Sequence, residues 1–423
     1  MPMNWAKIKK FYGFSKPYDF NVAIPALLTG AFAFLFLLET LSGIIVRGNF
    51  TFYSERFLFD LYTLIGLALI FLAIGRHKLF WPLFVWFLIE FSLGSWSKGL
   101  APFGVANDLE NNFKYHPLLQ SAPVPDFRAS DGKMTIVHNS LGMRDTGNAV
   151  WPLKSEGLIF VYGGSTTYDT TVTQGQTWVE ALNRDIGPKF DMFNFGSPGY
   201  STAEHVIQTA FYGDINGVYP SCAIYYVGWN DIRNANLAGL DRAYANFHLL
   251  SQINNTRIRR AMNMATISPI IKFALKQISY FVDTVPYPSP RVDMAAAEDG
   301  NQKLKWIYQR NLATITAINQ SRGVKTIVIG QMLNRDKLRT GSGRKQSHGW
   351  LPFVDDRDVW KLQSEFNDLA KNSADRVGYV YIDADIDKFD SADFVDSGHF
   401  TANGAAKFAS RISDEVRRAC PTS

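Results

Sequence analysis

The chain has 423 residues, enough for two or three structural units at ~150 residues each. A content of 47% hydrophobic and 14% aromatic residues excludes a disordered chain. The net charge of +5, from 43 Lys and Arg against 38 Asp and Glu, is too small and too scattered for nucleic-acid binding. The two cysteines, Cys222 and Cys420, establish no disulfide framework, and Cys222 opens an apolar run in which a free thiol packs as a small hydrophobe.

The apolar excess lies mostly in the first hundred residues. Residues 22–46, 57–75 and 79–96 each reach or approach the ~20 residues that cross a bilayer. Lys7, Lys9, Lys10 and Lys16 flank the first stretch, which is long for a signal peptide and reads as an uncleaved anchor. With Arg76-His77-Lys78 between the second and third, the positive-inside rule puts the tail, residues 1–20, in the cytoplasm. Three transmembrane helices over 21–98 thus predict a multi-pass protein of the cytoplasmic (inner) membrane with its catalytic half extracytoplasmic. Glu39 and Glu90 fall near span ends, where snorkelling or an interhelical bond suits a carboxylate.

Residues 99–154 read as a connector, broken by five prolines, with 134–138 as one strand of a small hairpin. Beyond it, short apolar runs recur at 158–162, 190–195, 223–227, 326–329 and 379–382, the pattern of strands buried on both faces of a parallel sheet. Helical patterns separate them at 177–184, 203–212 and 303–320, and Thr401 caps a last helix whose Ala405, Phe408, Ile412 and Val416 point inward. The expectation is a three-layer α/β/α domain with a parallel sheet over 155–423, interrupted by an insertion at about 235–300. Within that insertion, 256–281 has the basic amphipathic pattern of a lid or packed helix. Residues 334–347 read as a second mobile loop.

Chemistry concentrates where the strands end. The run 158–163 delivers Ser165 onto a Gly-Gly turn; Asn194-Phe-Gly-Ser-Pro-Gly199 and Gly228-Trp-Asn230-Asp231 follow two further strands; Asp396-Ser-Gly-His399 precedes the last helix. In such sheets active sites lie beyond the carboxyl ends of the strands. A serine needs a base, and His399 has a carboxylate three residues upstream in Asp396 that can fix its tautomer. His116, His138 and His205 are rivals: His138 has no carboxylate near it in sequence, and His205 reads as a surface or packing residue. An oxyanion would meet the backbone N–H groups of Ser165 and Gly199 and the amide of Asn230. Each segment alone is as well explained as a turn or a helix cap. All four in this order at strand ends point to a nucleophile, an oxyanion hole and an Asp-His pair.

These segments resemble the four sequence blocks of the SGNH (GDSL-like) hydrolase family, from Gly157 onward with the insertion outside the likeness. The resemblance implies a flavodoxin-like α/β/α domain with Ser165 as nucleophile, Gly199 and Asn230 in the oxyanion hole, and Asp396 and His399 completing the triad. Gly164 and Thr166 flank the serine where the name-giving pattern differs. The segment His138-Asn-Ser-Leu-Gly-Met-Arg144 is similar to an upstream motif of membrane-linked bacterial members, and makes Arg144 a candidate contact for an anionic substrate group or a structural ion-pair partner.

The reading is a membrane-anchored serine esterase that cleaves acyl esters, acetyl among the candidates, on an extracytoplasmic substrate such as a polysaccharide or lipid. The alternatives are an O-acyltransferase of an envelope or exported polysaccharide and a non-catalytic glycan-binding assembly subunit. No cofactor, metal site or nucleic-acid partner is expected.

Overall fold

The computed structural model describes residues 112–147 apart from 117 and 131, 157–236, 240, 301–340, 354 and 356–421, with the single positions 31, 34, 37, 38, 41, 45, 85 and 89. The chain divides into two units, Asn112–Arg257 with Val285–Ser423 and Met1–Asn111 with Ile258–Thr284; nearly all the described residues belong to the former.

The sheet grows from five apolar runs too short for helices and bounded by turn residues. They form β5 (Gly157–Gly163), β6 (Phe190–Asn194), β7 (Cys222–Tyr226), β8 (Lys325–Ile329) and β9 (Val380–Ile382). All pair in parallel in the order β6-β5-β7-β8-β9. Successive side chains of a strand point to opposite faces. Ile159 and Val161 of β5 therefore join one core with Ile224, Ile327 and Phe408, while Phe160 and Tyr162 join a second with Tyr225, Val328 and Phe366. Helices α2 (Trp178–Ile186) and α7 (Ala402–Ala419) cover the first face; α3 (Thr202–Phe211), α4 (Gln302–Ser321) and α6 (Asp356–Val377) supply the second. This is the expected three-layer α/β/α domain. The order of strands reverses between β5 and β7, and such a switch point opens a crevice at the carboxyl ends.

Local signals start the helices. Thr177 and Ser201 form capping boxes with Glu180 and Glu204 at α2 and α3, and the Thr401 hydroxyl accepts from Gly404 N–H at α7. Helix α6 has no counterpart among the expected elements. Its sequence is largely polar, and a stripe of Val359, Leu362, Phe366, Ala370 and Ala374 buries one side.

Ahead of the sheet, β1 (Phe113–His116) pairs with β2 (Gln120–Pro123), and β3 (Arg128–Ser130) pairs with β4 (Thr135–Val137), both antiparallel. Part of 334–347, expected as a loop, is the helix α5 (Arg335–Thr340); 341–353 lie outside the described residues, as does the expected helix at 256–281.

Three transmembrane helices and an inner-membrane location are corrected. Among the described residues no helix is long and apolar enough to cross a membrane. A span needs ~20 mostly apolar residues; the longest described helices, α4 with 20 residues and α6 with 22, are amphipathic and pack on the sheet. The segments 22–46, 57–75 and 79–96, and Glu39 and Glu90 with them, lie almost wholly outside the described residues.

The sequence leaves open whether the two cysteines pair, and the structure answers it. Cys222, at the start of β7, is bridged to Cys420, the residue that ends α7, with Cα atoms 5.6 Å apart.

Candidate active site

Strand β5 is buried along its whole length and ends in Gly163-Gly164, after which Ser165 opens the short helix α1 (Ser165–Tyr168). Neither glycine has room for a side chain: a Cβ on Gly163 would strike Thr167 and the Tyr226 carbonyl, and one on Gly164 would strike the Asn230 amide. The tight turn is thus needed to bring Ser165 up against the β7 end of the sheet.

Asp396 and His399 come from the loop before α7. Asp396 Oδ1 accepts from the Gly398 and His399 N–H groups, both at 2.9 Å, and its Oδ2 lies 2.7 Å from His399 Nδ1. Burial alone would raise this carboxyl's pKa, but the His399 ring and the two backbone donors outweigh it and hold it at about 2. An ionised carboxylate only accepts, so Nδ1 carries the ring proton and Nε2 is left to accept from the Ser165 hydroxyl, 2.8 Å away. The structure therefore brings Ser165, His399 and Asp396 into one hydrogen-bonded line.

The rival histidines are committed elsewhere. His138 donates from Nδ1 to the Val124 carbonyl at 2.8 Å and accepts the Tyr168 hydroxyl on Nε2 at 2.6 Å, and burial lowers its pKa to about 4. His205 is fully buried, donates to Gln208 Oε1 at 2.7 Å, and is likewise lowered to about 4 by burial. His116 Nδ1 accepts from the Leu118 and Leu119 N–H groups.

Asn230 follows β7 and is buried beside Gly164. Its Nδ2 donates to the Tyr200 carbonyl at 2.7 Å, which uses one of two amide hydrogens. Gly199 sits in the turn closed by Tyr200 N–H donating to Ser197 O at 3.2 Å, with φ +87°, a conformation that favours glycine. Asn230 and the Gly199 turn are thereby joined through Tyr200.

Arg144 is elsewhere. It is fully buried behind α1, donates to Val172 O at 2.9 Å and Gln174 Oε1 at 3.1 Å, and stands over the Tyr168 ring at 5.0 Å. With no exposed surface it does not face a substrate, and the groups it hydrogen-bonds are neutral. Together with His138 and Asn112, which both bond the Tyr168 hydroxyl, it makes residues 112–147 a buttress for α1.

Three positioning residues carry little sequence signal. Asn194 Nδ2 donates to Thr167 O at 2.9 Å while its Oδ1 accepts from Gly196 N–H, locking α1 to the end of β6. Thr171 donates its hydroxyl to Phe400 O at 2.9 Å. Asn334, just before α5, donates its N–H to Ser397 O. Among the described residues no group of three or more His, Cys, Asp or Glu side chains is placed to hold a metal.

No family model and no curated protein matches the chain. Among solved structures it is similar to several proteins described as lipolytic proteins, acylhydrolases or esterases. A lipolytic protein of the G-D-S-L family from Veillonella parvula DSM 2008 is 14% identical, with 61% of this chain and 96% of that one covered and a TM-score of 0.36. The M. smegmatis aryl esterase is 12% identical over 62% of this chain and 99% of its own, also at 0.36. A catalytic mutant of an acetylxylan esterase from Geobacillus stearothermophilus is 11% identical, over 62% and 95%, again at 0.36.

Proposed function

We propose that the chain is a serine ester hydrolase that passes an acyl group through Ser165. The supporting observation is the line Asp396–His399–Ser165, with hydrogen bonds of 2.7 and 2.8 Å and Ser165 partly open to solvent. In this reading His399 Nε2 takes the Ser165 proton as Oγ attacks the ester carbonyl. Asp396 stays ionised and stabilises the imidazolium. The tetrahedral oxyanion is received by Ser165 N–H and the second amide hydrogen of Asn230, with Gly199 N–H carried over from the resemblance. His399 then protonates the leaving alcohol, and the same steps with water release the acid and regenerate Ser165.

The candidate substrates are small acyl esters, acetyl among them, on a carbohydrate or a lipid. The experiment is reaction of the chain with p-nitrophenyl acetate and with a fluorophosphonate, followed by peptide mapping. Ester turnover with the adduct on Ser165 supports the reading; an adduct on another residue, or no reaction with either reagent, overturns it.

A further inference from the structure

Asp169 caps the C-terminal end of α1, the helix that Ser165 begins, and is 1% exposed. Its backbone N–H donates to the Ser165 carbonyl. Its carboxylate Oδ2 accepts from the N–H of Trp178, the first residue of α2, at 2.6 Å. The Trp178 indole Nε1 in turn donates to Thr166 O at 2.9 Å. Ser165, Thr166, Asp169 and Trp178 thus form a closed ring of hydrogen bonds around the turn that presents the reactive hydroxyl.

The base is tied to the same stretch. Ser165 Oγ meets the His399 ring at 2.8 Å and the Thr171 hydroxyl donates to Phe400 O at 2.9 Å. Asp169 therefore lies between two residues that both bond the segment 399–400. Arg144 brackets it likewise, standing over the Tyr168 ring and donating to Val172 O. The charged and titratable groups that act on the Asp169 carboxylate are Arg144 from the loop after β4, His399 from the loop before α7 and Glu180 of α2, and the carboxylate acts on Tyr226 of β7. Burial pushes its pKa up to about 7, against the pull of the Trp178 N–H, Arg144 and His399.

The turn itself does not need an acid. Asp169 has φ +59°, the left-handed region that asparagine also adopts and glycine adopts most readily. An asparagine amide oxygen would accept the same Trp178 N–H. Either residue would avoid the cost of burying a charge. What aspartate alone brings to this position is the negative charge.

We propose that Asp169 is a positioning residue for acyl transfer: it anchors the Ser165 turn to α2, and its buried negative charge supports the imidazolium that His399 becomes on taking the Ser165 proton. The inference rests on the ester-hydrolase reading for its purpose, but the coupling between Asp169 and His399 is measurable without turnover.

The test compares the full chain with Asp169→Asn, which keeps the acceptor and removes the charge, and with Asp169→Gly, which suits the backbone and removes both. Titration of the His399 ring is followed by NMR in chains carrying isotope-labelled histidine, with the resonance assigned by its loss in His399→Gln. In both variants the ring should release its proton at a pH lower by about half a unit to one unit, because an ionised neighbour no longer favours the cation. The acid limb of kcat/KM for p-nitrophenyl acetate should move with it. Well above neutral pH, Asp169→Asn should lower kcat by about three- to tenfold, the same shift read as a rate, with KM unchanged. Asp169→Gly should lower it further. A carboxylate that only caps α2 would leave the titration in Asp169→Asn where it was. An unchanged His399 titration in that variant, or in Asp169→Gly should the first not fold, overturns the proposal. Failure of both to fold also overturns it, since the acid would then serve stability alone. If the titration is unchanged while p-nitrophenyl acetate is cleaved at Ser165, the ester-hydrolase reading stands by itself. A shifted titration in a chain that cleaves no ester supports the coupling and removes the hydrolase.

Discussion

Asn334 gives its backbone N–H to the Ser397 carbonyl at 2.9 Å, and so ties the start of α5 to the loop that carries Asp396 and His399. Its side-chain oxygen also receives Lys337 N–H and the Ser391 hydroxyl, and Lys337 Nζ donates to Val395 O. The loop that carries His399 is thus held from a segment that touches neither Ser165 nor His399 in any described hydrogen bond. Asn334→Ala should keep the backbone bond and lose the side-chain ones. Because an ångström of misplacement can lower a rate ~10²-fold, kcat should fall by about 10- to 100-fold with KM little changed. Steady-state kinetics on p-nitrophenyl acetate check this.

Ser165→Ala and His399→Ala should each lower kcat on the order of 10⁴-fold or more, and the double variant should fall no further than the worse single one, since members of such a line act as a unit. Additive losses would show that the two residues work independently.

Asn230→Ala is expected to lower kcat by ~10²–10³-fold, the effect of removing one oxyanion donor. The rate of fluorophosphonate labelling at Ser165 should drop alongside. A fall in melting temperature with kcat retained would mean that the amide serves only to hold Tyr200 O.

Stability should depend on pH in two windows of opposite sign. Burial raises the pKa of Asp169 and of Asp231 to about 7. A carboxyl raised in the folded state favours folding below its unfolded pKa of ~3.9 and loses that contribution as pH climbs through 7. Asp396, held at about 2, contributes above ~3.9 and loses its share as pH falls toward 2. Urea titrations should therefore show stability rising as pH is lowered from 8 toward 4 and falling below that. In Asp169→Asn, which can still accept from Trp178 N–H, the rise should be smaller.

Reduction of the Cys222–Cys420 bridge, which closes a loop of 198 residues, should lower unfolding free energy by about 2–5 kcal/mol. Denaturation with and without a reducing agent measures it; equal midpoints would show that the bridge contributes nothing.

The central sheet and the segments that carry Ser165, Asn230, Asp396 and His399 were legible because both rest on local patterns. Each strand is a short apolar run, and each of those residues follows or precedes a recognisable turn or cap. Helix α6 was not, because its apolar stripe of Val359, Leu362, Phe366, Ala370 and Ala374 is diluted by charged residues and only its burial on the sheet shows what it packs against. Thr171 was invisible for another reason. Its hydroxyl bonds the backbone carbonyl of distant Phe400, and a carbonyl leaves no mark in a sequence. Arg144 was read as facing a substrate or a counter-charge; it is packed among carbonyls, an amide and a tyrosine ring because residues 112–147 lie behind α1 rather than over the site.

The bond between Ser165 and His399 spans 234 positions of sequence. His399 sits in the loop before α7 rather than within the sheet, so we expect this contact to be lost by local opening before the sheet unfolds. Turnover then becomes a finer thermometer than helix content. On gradual warming, esterase activity should begin to fail several degrees before the circular-dichroism signal moves, and should return on cooling for as long as the sheet itself has stayed intact.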